Sequence, residues 1–177
     1  MKDVFKEQLV KRRPHIKTTM AKAGLLTAAI FLMLLTMILV QFVQALSIFF
    51  PLLLVGIIFG TYVMFRRFNI EYEYVLTNNE LDIDIIYGKS RRKRVFSANV
   101  RDFDAFRKIG QTDMEHSFSG ATTRADFSGG PGGTFAQYEF VATYNAKRMR
   151  IIFEPNTDLL SSLIPHLKRG TYPASLR

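Results

Sequence analysis

The chain has 177 residues, 48% of them hydrophobic and 22% charged, with a formal net charge of +9. It contains no Cys, which excludes disulfide scaffolds, thiolate zinc centres and cysteine nucleophiles and fits the reducing side of a membrane. The length allows one domain with an appendage, and the apolar residues gather in one long block.

Residues 1–22 form a basic N-terminal segment, with seven Lys and Arg against two acids. Within it, Asp3 to Arg13 reads either as a short interfacial helix or as a disordered basic tail. The helix would have Asp3 as N-cap, Val4, Phe5 and Leu9 on one side and Pro14 as its stop. Two turns are marginal without a surface to dock on.

From Ala23 to Phe65 there are 43 residues without Asp, Glu, Lys, Arg or His. As helix at about 1.5 Å per residue this block would run about 64 Å, roughly twice the hydrocarbon core of a bilayer. The arithmetic predicts a two-helix transmembrane hairpin over 23–65, turning near Gln41, Gln44 and Ser47, with Pro51 near the start of the second helix. A cleaved signal peptide would have an apolar core of only about 7–15 residues. Basic residues flank the block on both sides, Arg66 and Arg67 directly after it, and the turn carries no charge. That bias predicts an integral inner-membrane protein with N- and C-termini in the cytoplasm. Gly56 and Gly60, at small-xxx-small spacing, are the candidate helix-packing residues. Residues 70–177 hold 15 basic and 13 acidic groups, so most of the positive excess lies beside the apolar block. A nucleic-acid binder carries its basic footprint on the folded module, so the pattern indicates attraction to anionic lipid and no nucleic-acid partner.

After Arg67 the period changes to two, the mark of half-buried strands. Tyr72, Tyr74 and Leu76 alternate with acids, Asn78 and Asn79 form a turn, and Leu81, Ile83 and Ile85 alternate on the return. A two-residue turn pairs Tyr72 with Ile85, Tyr74 with Ile83 and Leu76 with Leu81, and sets Glu73 opposite Asp84. Gly88 marks the next turn. The strand beyond it carries Lys89, Arg91, Arg92, Lys93 and Arg94, and either Lys93 or Arg94 falls opposite Asp84. Two readings of this basic run stand together: ion pairing with the acidic face of the hairpin, or contact with acidic headgroups or a partner.

Strand continues through Val100 to Ile109, with Phe103, Ala105 and Ile109 on one side. Residues 110–134 hold six of the 11 glycines and lack periodicity, which predicts a flexible Gly-rich loop. Gly129 to Gly133 is no phosphate loop, since neither the closing Lys-Ser/Thr nor a following helix is present. Tyr138, Phe140, Ala142 and Tyr144 share a face of the next strand, Asn145 to Arg148 turns, and Met149, Ile151 and Phe153 return. Pro155 breaks that strand, Asn156 or Thr157 can cap a helix, and Leu159, Leu160, Leu163, Ile164 and Leu167 form its apolar stripe. Pro165 should kink that helix or end it at Ile164, and residues 170–177 are a tail.

Candidates for catalysis are few. His15, His116 and His166 lack metal-ligand spacing, and no Ser lies in a nucleophile elbow. Asp113, Glu115 and His116 form the one local cluster that suits a divalent cation, inside the loop expected to be mobile. Asp82 with Asp84, and Asp102 with Asp104, read as solvated strand faces. No catalytic residue, metal or cofactor is expected, and the protein reads as a non-enzyme.

Antiparallel strands closed by one amphipathic helix resemble the plan of a pleckstrin-homology-like (PH-like) barrel. The stretch Tyr74, Leu76, Thr77, Leu81, Ile83, Gly88, Arg91 to Arg94 and Val100 resembles the start of bacterial PH-like domains that follow a pair of membrane helices. The opening Asp3, Val4, Phe5, Glu7, Gln8, Lys11, Arg12 is similar to the N-terminus of uncharacterised bacterial two-span membrane proteins. The resemblance implies a two-helix membrane hairpin followed by a mostly-β PH-like barrel over 70–169, capped by a C-terminal α-helix. It brings no catalytic residues, and fold alone does not fix function. The basic residues at the first hairpin of phosphoinositide-binding PH modules are absent here, where Asn78, Asn79 and Glu80 stand. The expectation is therefore a membrane-anchored binding or scaffold module for a protein partner, a second copy or anionic lipid. The alternative is an accessory or regulatory subunit of a membrane enzyme or transporter, acting through its helices.

Overall fold

The computed structural model describes residues 4–43 and 47–173. It falls into two units, one helical, Pro14–Asn69, and one β-rich, made of Met1–Arg13 together with Ile70–Arg177.

The β-rich unit begins where a helix or a tail was expected. Strand β1 (Phe5–Lys11) pairs antiparallel along its whole length with β2 (Ile70–Thr77), from Phe5 opposite Thr77 to Lys11 opposite Glu71. The short segment could not hold a helix by itself, but a distant partner strand supplies backbone bonds along one whole edge of it. Its side chains divide by strand period: Gln8 and Val10 are buried, and Phe5 and Leu9 are exposed. The proposed N-cap Asp3 lies outside the described residues. The segment 1–22 is therefore divided between a strand and the first two turns of a helix. The helices do not simply precede the β structure, because one of its strands comes before them.

β2 pairs with β3 (Glu80–Tyr87) in the register expected from the two-Asn turn, Tyr74 opposite Ile83 and Glu73 opposite Asp84. Asn78 takes the positive φ of 55° that such a turn requires. β4 (Arg91–Asn99) follows Gly88 and Lys89, both at positive φ, and places Arg94 opposite Asp84, with a register shift between Ile83 and Asp84. The first sheet thus runs β1-β2-β3-β4. A 3-10 turn, Val100–Asp102, leads to the short β5 (Ala105–Lys108), which replaces the longer strand expected there.

The second sheet runs β5-β7-β8-β6. β7 (Tyr138–Tyr144) and β8 (Lys147–Phe153) form the second hairpin around Asn145 and Ala146, both at positive φ. The stretch between β5 and β7 is not a featureless loop. It holds a short helix α3 (Glu115–Ser119) and β6 (Thr123–Asp126), which pairs parallel with β8.

One aromatic core joins the sheets. Tyr74, Leu76, Ile83 and Phe96 meet Phe106, Phe140, Ile151 and Phe153 in a single buried cluster. Phe103 stacks on Phe140 with centroids 4.2 Å apart, and Phe153 meets Phe140 edge-on at 5.3 Å, the geometries that the ring quadrupole favours. α4 (Thr157–Leu163) adds Leu159 and Leu163 to this core, with Leu167 just beyond. Asn156 caps it, its Oδ1 accepting from the Leu159 amide at 2.7 Å. Pro165 sits in a closing 3-10 turn, Ile164–His166, so the helix ends where that residue required.

The helical unit contains α1 (Ile16–Phe42) and α2 (Phe50–Arg67), both long and apolar enough to cross a membrane. At about 1.5 Å per residue they measure roughly 40 and 27 Å. α1 begins two turns earlier than the uncharged run, with His15 Nδ1 accepting from the Lys17 amide. Pro51 stands in the first turn of α2, where no donor is lost. Of the expected turn residues, Gln41 lies in α1 and Ser47 in a short 3-10 segment, while Gln44 lies outside the described residues.

Candidate binding surface

The basic run divides by strand alternation. Arg92 and Arg94 lie on the outer face of the first sheet, over the acids of β2 and β3. Arg92 Nη2 is 2.5 Å from Glu73 Oε1, while Arg94 donates to Asp84 at 2.9 Å and reaches Asp82 at 2.9 Å. The Asp84 hydrogen bond is the main cause that raises the Arg94 pKa. Beneath them Glu73 and Asp84 are buried. Burial pushes the Glu73 carboxyl above the ordinary range; Arg92 opposes this, and Glu7 and Asp84 add to it. Among the described residues, Glu73 Oε2 and Asp82 Oδ1 are buried without a hydrogen-bond partner. Pairing with the hairpin therefore accounts for Arg92 and Arg94.

Lys89, Arg91 and Lys93 remain exposed and form no ion pair among the described residues. Their place follows from register. Arg91 is opposite Tyr87, Tyr87 is opposite Ile70, and the Arg12 amide donates to the Ile70 carbonyl at 3.0 Å. The Gly88–Lys89 turn and the two points where the chain leaves and rejoins the sheet thus share one end of it.

A second cluster gathers at Arg13. Its Nη2 is 2.7 Å from Glu154 Oε1, its Nη1 donates to the Gly130 carbonyl, and its amide donates to Gly129 at 2.8 Å. Glu154, 1% exposed, also accepts from the amides of Gly129 and Phe135. Beside it Gln8 donates to the Glu154 carbonyl, and the Tyr74 hydroxyl donates to Phe127 and accepts from the Glu154 amide. Burial drives the Tyr74 pKa far up, so this hydroxyl keeps its proton. The glycines are what allow the loop to lie here. A Cβ on Gly133 would overlap the Glu154 carboxylate and the Arg13 guanidinium, and one on Gly129 would press on Lys11 O at 3.0 Å. The part of the Gly-rich segment expected to be flexible is thus bound to the strand end. The sequence signal was available in Arg13 and Glu154, but neither stands in a motif.

The third cluster engages Asp113 and Glu115, two members of the local group that suits a divalent cation. Arg107, 3% exposed, lies between Glu139 at 2.7 Å and Glu115 at 2.9 Å, and also donates to the Asp113 carbonyl. Burial works against its charge, but hydrogen bonds to Glu139 and Glu115 prevail and raise its pKa. Its guanidinium lies 4.0 Å from the Phe118 ring centroid, and Arg150 pairs with Glu139 from the other side. Glu115 therefore serves as an anchor that holds α3 over Val141 and Ala105. No group of three or more His, Asp or Glu side chains suited to a metal gathers among the described residues. In the helical unit, a Cβ built on Gly56 or Gly60 meets nothing within 4 Å, so the space beside both glycines is open among the described residues.

Two apolar helices inserted beside a strand pair, two antiparallel-rich sheets and a C-terminal helix set the terms for comparison. Residues 2–172 match the family model described as bacterial PH-like domain (DUF6106). The chain belongs to this family. The match covers the helices as well as the sheets, so the helical hairpin is part of what defines this PH-like protein. No curated protein and no solved structure matches it.

Proposed function

We propose that this PH-like protein is a non-enzymatic binding module tethered to the inner membrane by α1 and α2, with both termini in the cytoplasm and its two sheets closing as a barrel around α4. The observation that carries the reading is the pairing of β1 with β2 on either side of the helical segment. Strands bonded to each other lie on the same side of a membrane, so the intervening helices cross it an even number of times. Two spanning helices fit that count. Basic residues at both ends, Lys17 and Lys22 on one side and Arg66 and Arg67 on the other, support the cytoplasmic side.

Lys89, Arg91 and Lys93 are the residues assigned to acidic headgroups. Four residues separate Phe65, the last of the apolar run, from Ile70, about 18 Å of chain at most, and the Gly88–Lys89 turn belongs to the same end of the sheet. Three cations near an anionic surface contribute about 1 kcal/mol each, roughly a hundredfold in the balance between docked and free states. Tethering makes such weak contact sufficient, because the domain never leaves the surface.

The test uses the absence of Cys. Ser90→Cys supplies a single thiol for a polarity-sensitive dye in the full-length protein reconstituted into vesicles. The emission should shift to the blue when anionic lipid is included, revert at about 1 M salt, where the screening length is about 3 Å, and stay unshifted when Arg91 and Lys93 are changed to Ser. An emission indifferent to lipid charge would reject the lipid assignment and leave a protein partner as the object of the module.

A further inference from the structure

Outside residues 14–69, four large apolar side chains are exposed among the described residues: Phe5 at 63%, Leu9 at 58%, Ile109 at 39% and Phe135 at 41%. Two of them share one end of the second sheet. The Ile109 amide donates to the Gln137 carbonyl at 3.0 Å, so Ile109 follows the end of β5 beside the segment that carries Phe135 into β7. That same end is bound to the strand that leads into the membrane helices. The Phe135 amide donates to Glu154 Oε1, the oxygen that Arg13 Nη2 also contacts, and α1 begins three residues after Arg13.

We infer that Phe135, which follows the Gly129–Gly133 loop, and Ile109, at the end of β5, form an apolar foot that sits in the interfacial layer of the bilayer, a lipid contact separate from the basic turn. The inference rests on the membrane reading given above and adds a second point of contact to it. Its chemistry is that of interfacial anchors, an aromatic ring and an aliphatic side chain beside a cation, here Lys108. Its location follows from the tether: three residues of chain span about 10 Å at most, which keeps the Arg13–Glu154 cluster close to the start of α1. Its stiffness comes from the loop. Gly130 and Gly132 take φ of 92° and 76°, Gln137 Nε2 donates to Ser128 Oγ and Gly130 O, and the glycine backbone lies against the ion pair. A basic turn on the first sheet and an apolar foot on the second give two separated contacts, and two contacts restrict the tilt of a domain where one would leave it free to pivot. Phe5 does not belong to this surface. It lies six residues along β1 from Lys11, about 20 Å at strand rise, at the far end of the sheet.

The protein has no Trp, so single tryptophans report position in the full-length chain. F135W, I109W, F5W and F59W are each reconstituted in vesicles containing bromine-labelled phospholipid. F59W, within α2, should be strongly quenched; F135W and I109W should be quenched at least about twofold more than F5W, as expected of rings about 5–10 Å into the headgroup boundary. Circular dichroism matching the parent chain establishes that each variant is folded, and the two independent foot positions guard against one failing. Quenching of F135W and I109W no greater than that of F5W, with F59W strongly quenched, overturns the foot and leaves the tether intact. An unquenched F59W overturns the membrane reading and the foot with it.

Discussion

Glu73 is a buried carboxyl on the β2–β3 hairpin, paired with Arg92 and lying opposite Asp84. Alternation and a two-Asn turn already set it opposite Asp84 and called for a nearby cation. The identity of that cation was not legible, because the shift between Ile83 and Asp84 changes the β3–β4 register by one residue, and nothing in the residue types announces it. The folded site has a consequence for pH. Because burial raises the Glu73 pKa above its unfolded value, the native state holds its proton over a range where the unfolded chain has lost it. Stability from this group is therefore largest below about pH 4.3, its unfolded value, and declines as pH rises through the folded value. In Glu73→Gln that decline should be absent from the pH dependence of the denaturation midpoint. An unchanged profile would remove Glu73 as its source. Gly133 gives a steric counterpart: Gly133→Ala drives a methyl into the Arg13–Glu154 pair and should destabilise the β-rich unit by about 1–3 kcal/mol. Gly24→Ala, where the methyl meets nothing, should be neutral or gain up to about 1 kcal/mol of helix propensity. Thermal unfolding in detergent separates the two.

Elements defined by local contacts were the most readable. The β2–β3 and β7–β8 hairpins, the shortened α4 and its Asn156 cap all follow from alternation, turn residues and proline within about twenty residues of chain. β1 was misread for the opposite reason: its partner β2 lies beyond the whole helical segment, and a seven-residue strand has no period long enough to distinguish it from an amphipathic turn or a tail. α3 and β6 were missed because their stabilising groups, Arg107, Arg148 and Arg150, come from other strands. The position of β1 predicts the behaviour of fragments. Residues 70–177 alone lack the strand that supplies Gln8 and Val10 to the buried interior and Arg13 to Glu154, and should show poorly dispersed amide spectra. Residues 1–13 joined to 70–177 by a short Gly-Ser linker in place of 14–69 restore the strand and should give dispersed ones. Dispersed spectra from the shorter fragment would show that β1 is dispensable.

For the whole molecule, the apolar block and its flanking charges were plain in the sequence, while its place inside the sheet was not. Composition reports which residues prefer lipid, but only strand pairing reports that the two ends of the block meet. The family match across both units is consistent with helices and sheets forming one architecture. Of the candidate surface, the five basic residues stood out together with two readings open, and the fold pairs Arg92 and Arg94 with acids while Lys89, Arg91 and Lys93 stay exposed. In the Arg13 cluster the two charged members were visible only as isolated residues, since Arg13 and Glu154 are 141 positions apart and neither stands in a motif.

Placing the hairpin between neighbouring strands also sets an order of events during synthesis. β1 leaves the ribosome first and finds no partner until β2 emerges, a wait of roughly 3–12 seconds at typical elongation rates. Both helices are made within that interval, so until β2 emerges β1 is an unmatched strand edge, the kind of surface that pairs with other chains. The first sheet is therefore completed only after the whole helical segment has been made.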